Sequence, residues 1–165
     1  MSFLSINPPS AIGRSLCVSG CALMACLSVQ AGEKSKVAQY TSAADIRASV
    51  AKTVNGVAAY TIKTDASTPV IVARRDGPGE VEVHLKQNDL VVAQSGKVTV
   101  LIGERVEGNR EVAPNEWLGG KIIGGKSYVL APGDVLWIPF GLGHLMTVPP
   151  GGSFSYLVVK SEAKQ

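Results

Sequence analysis

The spacing of apolar residues along the chain changes at Asn55-Gly56, and the two sides of this dipeptide predict different elements. Before it, residues 41–45 have the form of a helix capping box, and the apolar residues that follow recur at helical spacing. We therefore expect one short helix of about three turns that runs through Thr53. The residues expected on its apolar face are Ile46, Val50 and Val54.

Beyond Asn55-Gly56, short apolar runs are separated by Gly, Pro, Asn and Asp, which is typical of strands joined by turns. The predicted strands cover residues 57–63, 69–74, 81–86, 90–94, 98–102, 121–123, 128–130, 135–138, 145–148 and 154–160. Because no helical pattern lies between them, they predict a sandwich or barrel. No repeat or linker divides residues 41–165, so we expect a single all-β domain after a polar, flexible tail at residues 32–40.

Residues 103–120 are the least strand-like part of this region and carry many charged side chains. We expect them to form a solvated loop. The alternative is a loop on the rim of a barrel, where Trp117 would offer an apolar contact to a ligand in the pocket.

The chain has only two histidines, and the first lies in an alternating stretch with acidic residues. Glu82 and His84 are two residues apart, so a strand would direct both side chains to the same face. A hairpin over residues 86–89 would return Asp89 to the side of His84. One imidazole and two carboxylates would then converge, and this ligand set suits iron, manganese, nickel or zinc.

The alternation at residues 79–83 does not specify which face of this strand is buried. In the opposite orientation its valines would fill the core, and Glu82 and His84 would face solvent. A single histidine on a strand is also more often a hydrogen-bonded structural residue than a metal ligand. The pattern leaves both orientations open.

The second histidine, His144, ends a stretch in which Gly133, Pro139, Gly141 and Gly143 precede it. A turn of Pro, Gly and Asp leads into a short apolar strand, Pro139 ends its hydrogen-bond ladder, and the last two glycines let the backbone turn before His144. The order is Gly, five residues, Pro, one residue, Gly, two residues, His. This stretch resembles the second sequence motif of the cupin family throughout.

The stretch around the first histidine resembles the first cupin motif with two changes. That motif has two histidines two residues apart, then Glu and then Gly, and the four positions here are Glu82, His84, Asp89 and Gly96. Both changed positions keep a side chain that can bind metal. The family's Asn, four residues after the second-motif histidine, is Val148 here.

The resemblance implies a cupin-like double-stranded β-helix, a jelly-roll barrel, preceded by the one short helix. It also implies one divalent transition metal ion inside the barrel. The implied metal ligands are Glu82, His84, Asp89 and His144, and the structural positions of the motifs are Gly96, Gly133, Pro139 and Gly141.

Cupins include dioxygenases, isomerases and decarboxylases that act on small molecules, and the fold does not choose among these reactions. The alternative is a non-catalytic cupin that binds a small ligand or only a metal, or that has a structural role. Because members of the family pair through their edge strands, we also expect that a homodimer is possible.

The amino-terminal 31 residues have the composition of a secretory signal peptide. They carry Arg14 as their single charged residue and an apolar run at residues 15–27, which is shorter than the about 20 residues that a transmembrane helix needs. We therefore expect cleavage after Ala31 and a periplasmic or secreted protein. The alternative is a lipoprotein anchored at Cys26, because residues 23–26 resemble a lipoprotein box.

The remaining composition excludes several classes of function. All three cysteines lie in the amino-terminal segment, so the expected mature chain has no disulfide or thiol chemistry. The formal net charge is +3 with the signs interspersed, and no basic stripe alternates with aromatic residues. We therefore expect no nucleic-acid partner and no membrane span, and a small molecule as ligand.

If residues 1–31 are a signal peptide, the exported protein begins at Gly32. Mass spectrometry of protein from the periplasm or the medium should show this amino terminus. A lipid on Cys26 would support the lipoprotein alternative, and a full-length cytoplasmic chain would contradict export.

Overall fold

Two antiparallel β-sheets face each other in the computed structural model, which describes residues 38–62 and 68–164. The strands are, in chain order, β1 (Val57–Ile62), β2 (Val70–Arg75), β3 (Glu82–His84), β4 (Gln87–Gly96), β5 (Val98–Gly103), β6 (Val106–Glu107), β7 (Arg110–Ala113), β8 (Glu116–Leu118), β9 (Lys121–Ile122), β10 (Lys126–Leu130), β11 (Val135–Ile138), β12 (Gly143–Thr147) and β13 (Phe154–Glu162). The first sheet has the order β1-β2-β13-β4-β11 and the second β10-β5-β12-β3-β8-β7, while β6 pairs with β9. The all-β class is confirmed.

The helix α1 (Ala43–Ser49) is shorter than the sequence predicted. Ser42 caps it as expected, because its hydroxyl oxygen accepts the Asp45 backbone N–H at 3.1 Å. The prediction of a helix through Thr53 was wrong. Asn55 and Gly56 both have positive φ, and the tight turn that they form pairs Val54 with the first residue of β1 instead of leaving it on the helix face.

Each predicted strand overlaps an observed one, but residues 103–120 differ from the prediction. They contain the short strands β6, β7 and β8 rather than only a solvated loop. The sequence missed them because each has two to four residues and little apolar alternation.

The predicted hairpin at residues 86–89 was also wrong. Strand β3 pairs with β12 and β8 in the second sheet, whereas β4 pairs with β11 and β13 in the first. Leu85 and Lys86 therefore carry the chain from one sheet to the other. Asp89 reaches His84 across the space between the sheets and not within one hairpin.

The main core lies between the sheets, where inward-facing residues of both pack together. Phe154 is fully buried and stacks on Tyr156, with ring centroids 5.2 Å apart, and Val91 and Val100 are also buried. A second, smaller cluster contains Val81, Val83 and Ile122, with Leu101, Val106, Trp117 and Leu145 packed against it. It covers the opposite face of the second sheet.

These two cores decide the orientation that the sequence left open. Strand β3 is covered on both faces, so Val83 packs into the smaller cluster while Glu82 and His84 point between the sheets. His84 is buried and Glu82 is half-buried.

Two hydrogen bonds join the stretches that carry the two histidines. The backbone N–H of Gly141 donates to the His84 carbonyl at 2.8 Å, and that of Phe140 donates to the Asn88 side-chain oxygen at 3.1 Å. Pro139 follows the last residue of β11, as predicted. Gly143 is the first residue of β12 and not part of the turn that the sequence predicted.

Some predictions fall on residues that the structure does not describe. The signal peptide, the lipoprotein alternative and most of the flexible tail lie within residues 1–37, outside the described part, so the domain boundaries remain predictions. Within residues 38–62 and 68–164, no helix has the length and apolar character needed to cross a membrane.

Gly96 should be the least tolerant of a side chain among the glycines in residues 38–62 and 68–164. Its φ is +76°, and a Cβ would lie 1.8 Å from the Ser153 carbonyl oxygen. Gly96→Ala should lower the free energy of unfolding by about 1–2 kcal/mol for the left-handed backbone and by about 1–3 kcal/mol more for overpacking. Gly151 is the matched control, with φ of +70° and no atom within 4 Å of a Cβ. Urea denaturation giving equal losses for the two variants would contradict this steric argument.

Candidate metal centre

Four side chains from both sheets converge at one end of the space between them. Glu82 and His84 come from β3, and His144 comes from β12, where it is the cross-strand partner of Glu82. Asp89 comes from β4 in the facing sheet. The sequence predicted these four residues as ligands, and the structure brings them together.

The donor atoms of this group lie at distances that suit one metal ion. Asp89 Oδ2 is 3.4 Å from His84 Nε2 and 3.8 Å from His144 Nε2. Glu82 Oε2 is 3.9 Å from His84 Nε2 and 4.0 Å from His144 Nε2. Nitrogen and oxygen ligands at about 2.0–2.2 Å from a tetrahedral ion are separated by roughly 3.4 Å, so small side-chain movements would close the group around one ion.

Glu116 orients the His84 ring, and sequence analysis missed it. Its carboxylate contacts Nδ1 of His84, which places the donated proton on that nitrogen and leaves the Nε2 lone pair directed at the centre. A carboxylate on the outer nitrogen is the usual support of a metal-binding histidine. Glu116 was missed because it lies in β8, which pairs with β3 from 32 residues away in sequence.

His144 is the most buried member of the group, with 3% of its surface exposed. Burial lowers the pKa of His144, and the nearby charges of Glu82 and Asp89 do not offset this effect. The ring is therefore held in its neutral form, which is the form that binds metal. Its Nδ1 is buried and forms no hydrogen bond among the described residues.

His84 and Asp89 influence each other's charge. Burial and the Lys160 ammonium disfavour the charged form of His84, but Asp89, which would accept a proton carried on Nε2 in that charged form, and the charge of Glu116 outweigh them, so the pKa of His84 is raised. Burial likewise opposes ionisation of Asp89, yet His84 and Lys160 hold the pKa of Asp89 below its ordinary value. Asp89 is therefore an ionised carboxylate.

Two cations reach the centre, and no pattern in the sequence points to either of them. Lys160 Nζ lies 2.8 Å from Asp89 Oδ1 and 2.8 Å from His84 Nε2. Arg75 donates to Glu82 Oε1 at 2.5 Å and to the Tyr156 hydroxyl at 3.1 Å. Lys160 lies in a strand that the sequence predicted, whereas Arg75 lies one residue beyond the predicted strand 69–74 and is the last residue of the observed β2. Their partners are 7 to 81 residues away in sequence.

A cavity of about 900 Å³ adjoins the centre between the two sheets. Glu82, Asp89, His144 and Lys160 line its polar end, and its apolar walls include Ala73, Val91 and Met146. Its volume is in the range of small-molecule sites. Trp117, predicted at the rim of this pocket, does not line it but packs into the smaller cluster, and its neighbour Leu118 lines the cavity instead.

Several solved structures are similar to this one. A cupin-like protein from Thermotoga maritima is 15% identical, with a TM-score of 0.45 over 64% of this chain and 68% of that one. A conserved protein of unknown function from Streptococcus pyogenes is 15% identical, with a TM-score of 0.51 over 78% of this chain and 93% of that one. A sugar phosphate isomerase of the cupin superfamily from Silicibacter pomeroyi is 15% identical, with a TM-score of 0.44 over 66% and 60%.

No protein-family model and no curated protein matches the sequence. Because these solved structures are only 15% identical to the chain, their similarity concerns the fold and not the function. The chain is an antiparallel β-sandwich, a fold that it shares with the Streptococcus pyogenes protein at a TM-score of 0.51.

Proposed function

We propose that this chain is an exported protein of cupin fold that binds one divalent transition metal ion and acts on a small molecule in the adjacent cavity. The proposed metals are iron, manganese, nickel and zinc, and the proposed ligands are Glu82, His84, Asp89 and His144. The observation that carries the proposal is the convergence of three ligand atoms, from Glu82, His84 and His144, within 4.8 Å of one another, with Asp89 facing them.

The support for a metal extends beyond the ligand atoms themselves. Glu116 fixes the ring of His84, and burial keeps His144 neutral. Buried Asp89 and half-buried Glu82 and Glu116 also bring three carboxylates to one centre, which favours the binding of cations there. When bound, a divalent ion with an open coordination position would supply Lewis-acid polarisation of a substrate oxygen.

The residues around the cavity would position the small molecule. Arg75 is held between Glu82 and Tyr156, which leaves its guanidinium fixed at the cavity wall. The apolar side chains on the other walls would exclude water from the bound molecule. A dioxygenase, isomerase or decarboxylase is compatible with this arrangement, and none of the described residues around the cavity selects among these reactions.

Location and assembly also belong to the proposal. The composition of residues 1–31 supports a periplasmic or secreted protein. Strand β11 lies at the edge of the first sheet, and its apolar residues Val135 and Trp137 are 60% and 50% exposed. An exposed apolar edge strand can pair with a second copy of the chain, which supports a homodimer.

A second candidate function is non-catalytic binding of a small ligand, and one observation favours it. Lys160 already places a cation against Asp89 and His84. If Lys160 serves permanently in the place of a metal, the cavity would bind a ligand without metal chemistry.

Metal content distinguishes the two candidates. Protein purified without chelator and without a nickel-affinity step should contain close to one transition metal ion per chain by elemental analysis, and His84→Ala or His144→Ala should abolish it. A chelator should lower the melting temperature of the wild type, because a ligand at a hundredfold excess over its Kd stabilises a protein by about 2.7 kcal/mol. The same chelator should not change the melting temperature of His144→Ala.

Lys86→Ala is the control, because Lys86 is exposed in the turn after β3 and should not affect metal content. Metal-free wild type whose stability no divalent ion changes would refute the metal proposal and leave the small-ligand binder.

Glu116 should support metal binding through His84. Glu116→Ala removes the acceptor at Nδ1 and should weaken metal binding by about 10–100-fold, the usual effect of losing such a partner. Glu116→Gln keeps an acceptor oxygen and should retain more affinity. Glu104 is the control because it is exposed, so Glu104→Gln should leave the Kd unchanged. Isothermal titration with zinc measures each value, and a wild-type Kd in Glu116→Ala would rule out this role.

A further inference from the structure

We propose that Lys160 is an intramolecular cation that competes with a divalent metal ion for Asp89 and His84, so that metal binding displaces its ammonium group into the cavity. The inference deepens the proposed metal site and rests on it. It assigns to Lys160 a role that the sequence motifs do not contain.

The geometry makes the two occupants mutually exclusive. The Lys160 ammonium is 2.8 Å from His84 Nε2, and an N–H donor at that distance uses the lone pair that a metal would need. The ammonium also donates to Asp89 Oδ1 at 2.8 Å. A metal bound by the same imidazole and carboxylate would therefore meet the ammonium within the same small volume.

The charges of the centre favour a metal ion that replaces the Lys160 ammonium over one that binds beside it. Three carboxylates, Glu82, Asp89 and Glu116, belong to the group, and among the residues that the structure describes Arg75 and Lys160 are the two cations in contact with it. With neutral imidazoles this set has one negative charge in excess. A divalent ion that replaces the ammonium would leave the set neutral, whereas an ion that joined it would leave a buried positive charge, which is unfavourable.

Strand pairing holds the backbone of Lys160 in place, so only its side chain is free to move. Lys160 is the cross-strand partner of Asp89 in the pairing of β13 with β4, and its backbone N–H donates to the Pro69 carbonyl at 3.0 Å. Its side chain is 16% exposed and lines the cavity, so the ammonium has adjacent space to occupy after displacement. There it would face a bound small molecule.

The test is the affinity of metal-free protein for zinc, measured by competition with a fluorescent chelator. Lys160→Leu removes the competing cation and adds no metal-binding atom, so it should bind zinc at least tenfold more tightly than the wild type. Lys160→Arg keeps the charge and should show no such gain. Lys97→Leu is the matched control for the change in net charge, because Lys97 is exposed in the turn between β4 and β5.

A second measurement uses the wild type alone and does not depend on the folding of a variant. Reductive methylation of lysines, mapped by mass spectrometry, should be several-fold faster at Lys160 in zinc-saturated protein than in metal-free protein. Lys97 provides the internal reference and should react at the same rate in both. Equal rates at Lys160 would contradict displacement.

The zinc titration separates failure of this inference from failure of the proposed function. Zinc binding by the wild type with no gain in Lys160→Leu would overturn competition and leave the metal site intact. Zinc binding by Lys160→Leu alone would support competition and overturn zinc as the metal of the native chain. Failure of both proteins to bind zinc, iron, manganese or nickel would overturn both proposals.

Discussion

The carboxylate of Asp89 is buried between the two β-sheets, and those of Glu82 and Glu116 are half-buried near it. Each needs a compensating group in direct contact, because an isolated charge in the protein interior is strongly destabilising. This constraint organises the centre of the molecule. Asp89 contacts Lys160, Glu82 contacts Arg75, and Glu116 contacts His84. Each carboxylate meets a group that carries or can accept a positive charge, and the only buried nitrogen left without a partner in this group is Nδ1 of His144 among the described residues.

The same constraint explains why the two ends of the sandwich differ. The inward residues of β13 run from Phe154, which is fully buried in the core, through Tyr156 and Val158 to Lys160 at the centre. One strand thus connects the tightly packed end with the polar end. The tightly packed end stabilises the fold by burial of apolar surface. The polar end holds charged groups beside a cavity, so it contributes less of this stabilisation.

Strand β3 can place charged residues inward because its other face has a hydrophobic cover of its own. Val83 packs with Ile122 and Trp117, which come from short strands in a stretch of charged sequence. Without that cover, burial of Val81 and Val83 would favour the opposite orientation of the strand, with its valines in the main core. The residues between the two motifs therefore have a structural role that their composition does not reveal, and they also provide Glu116.

The sequence by itself determined the all-β class, the approximate positions of the strands and the parity that puts Glu82 and His84 on one face, because these depend on the two-residue period of a strand. It also placed His144 in a recognisable motif. It did not determine which face of β3 is buried, since alternation is symmetric. It gave the wrong route for Asp89, because a turn between two sheets has the same local sequence signals as a hairpin. Glu116, Arg75 and Lys160 were decided only by the tertiary structure. Their partners are brought together by strand pairing and sheet packing over long sequence separations, and no local pattern records such contacts.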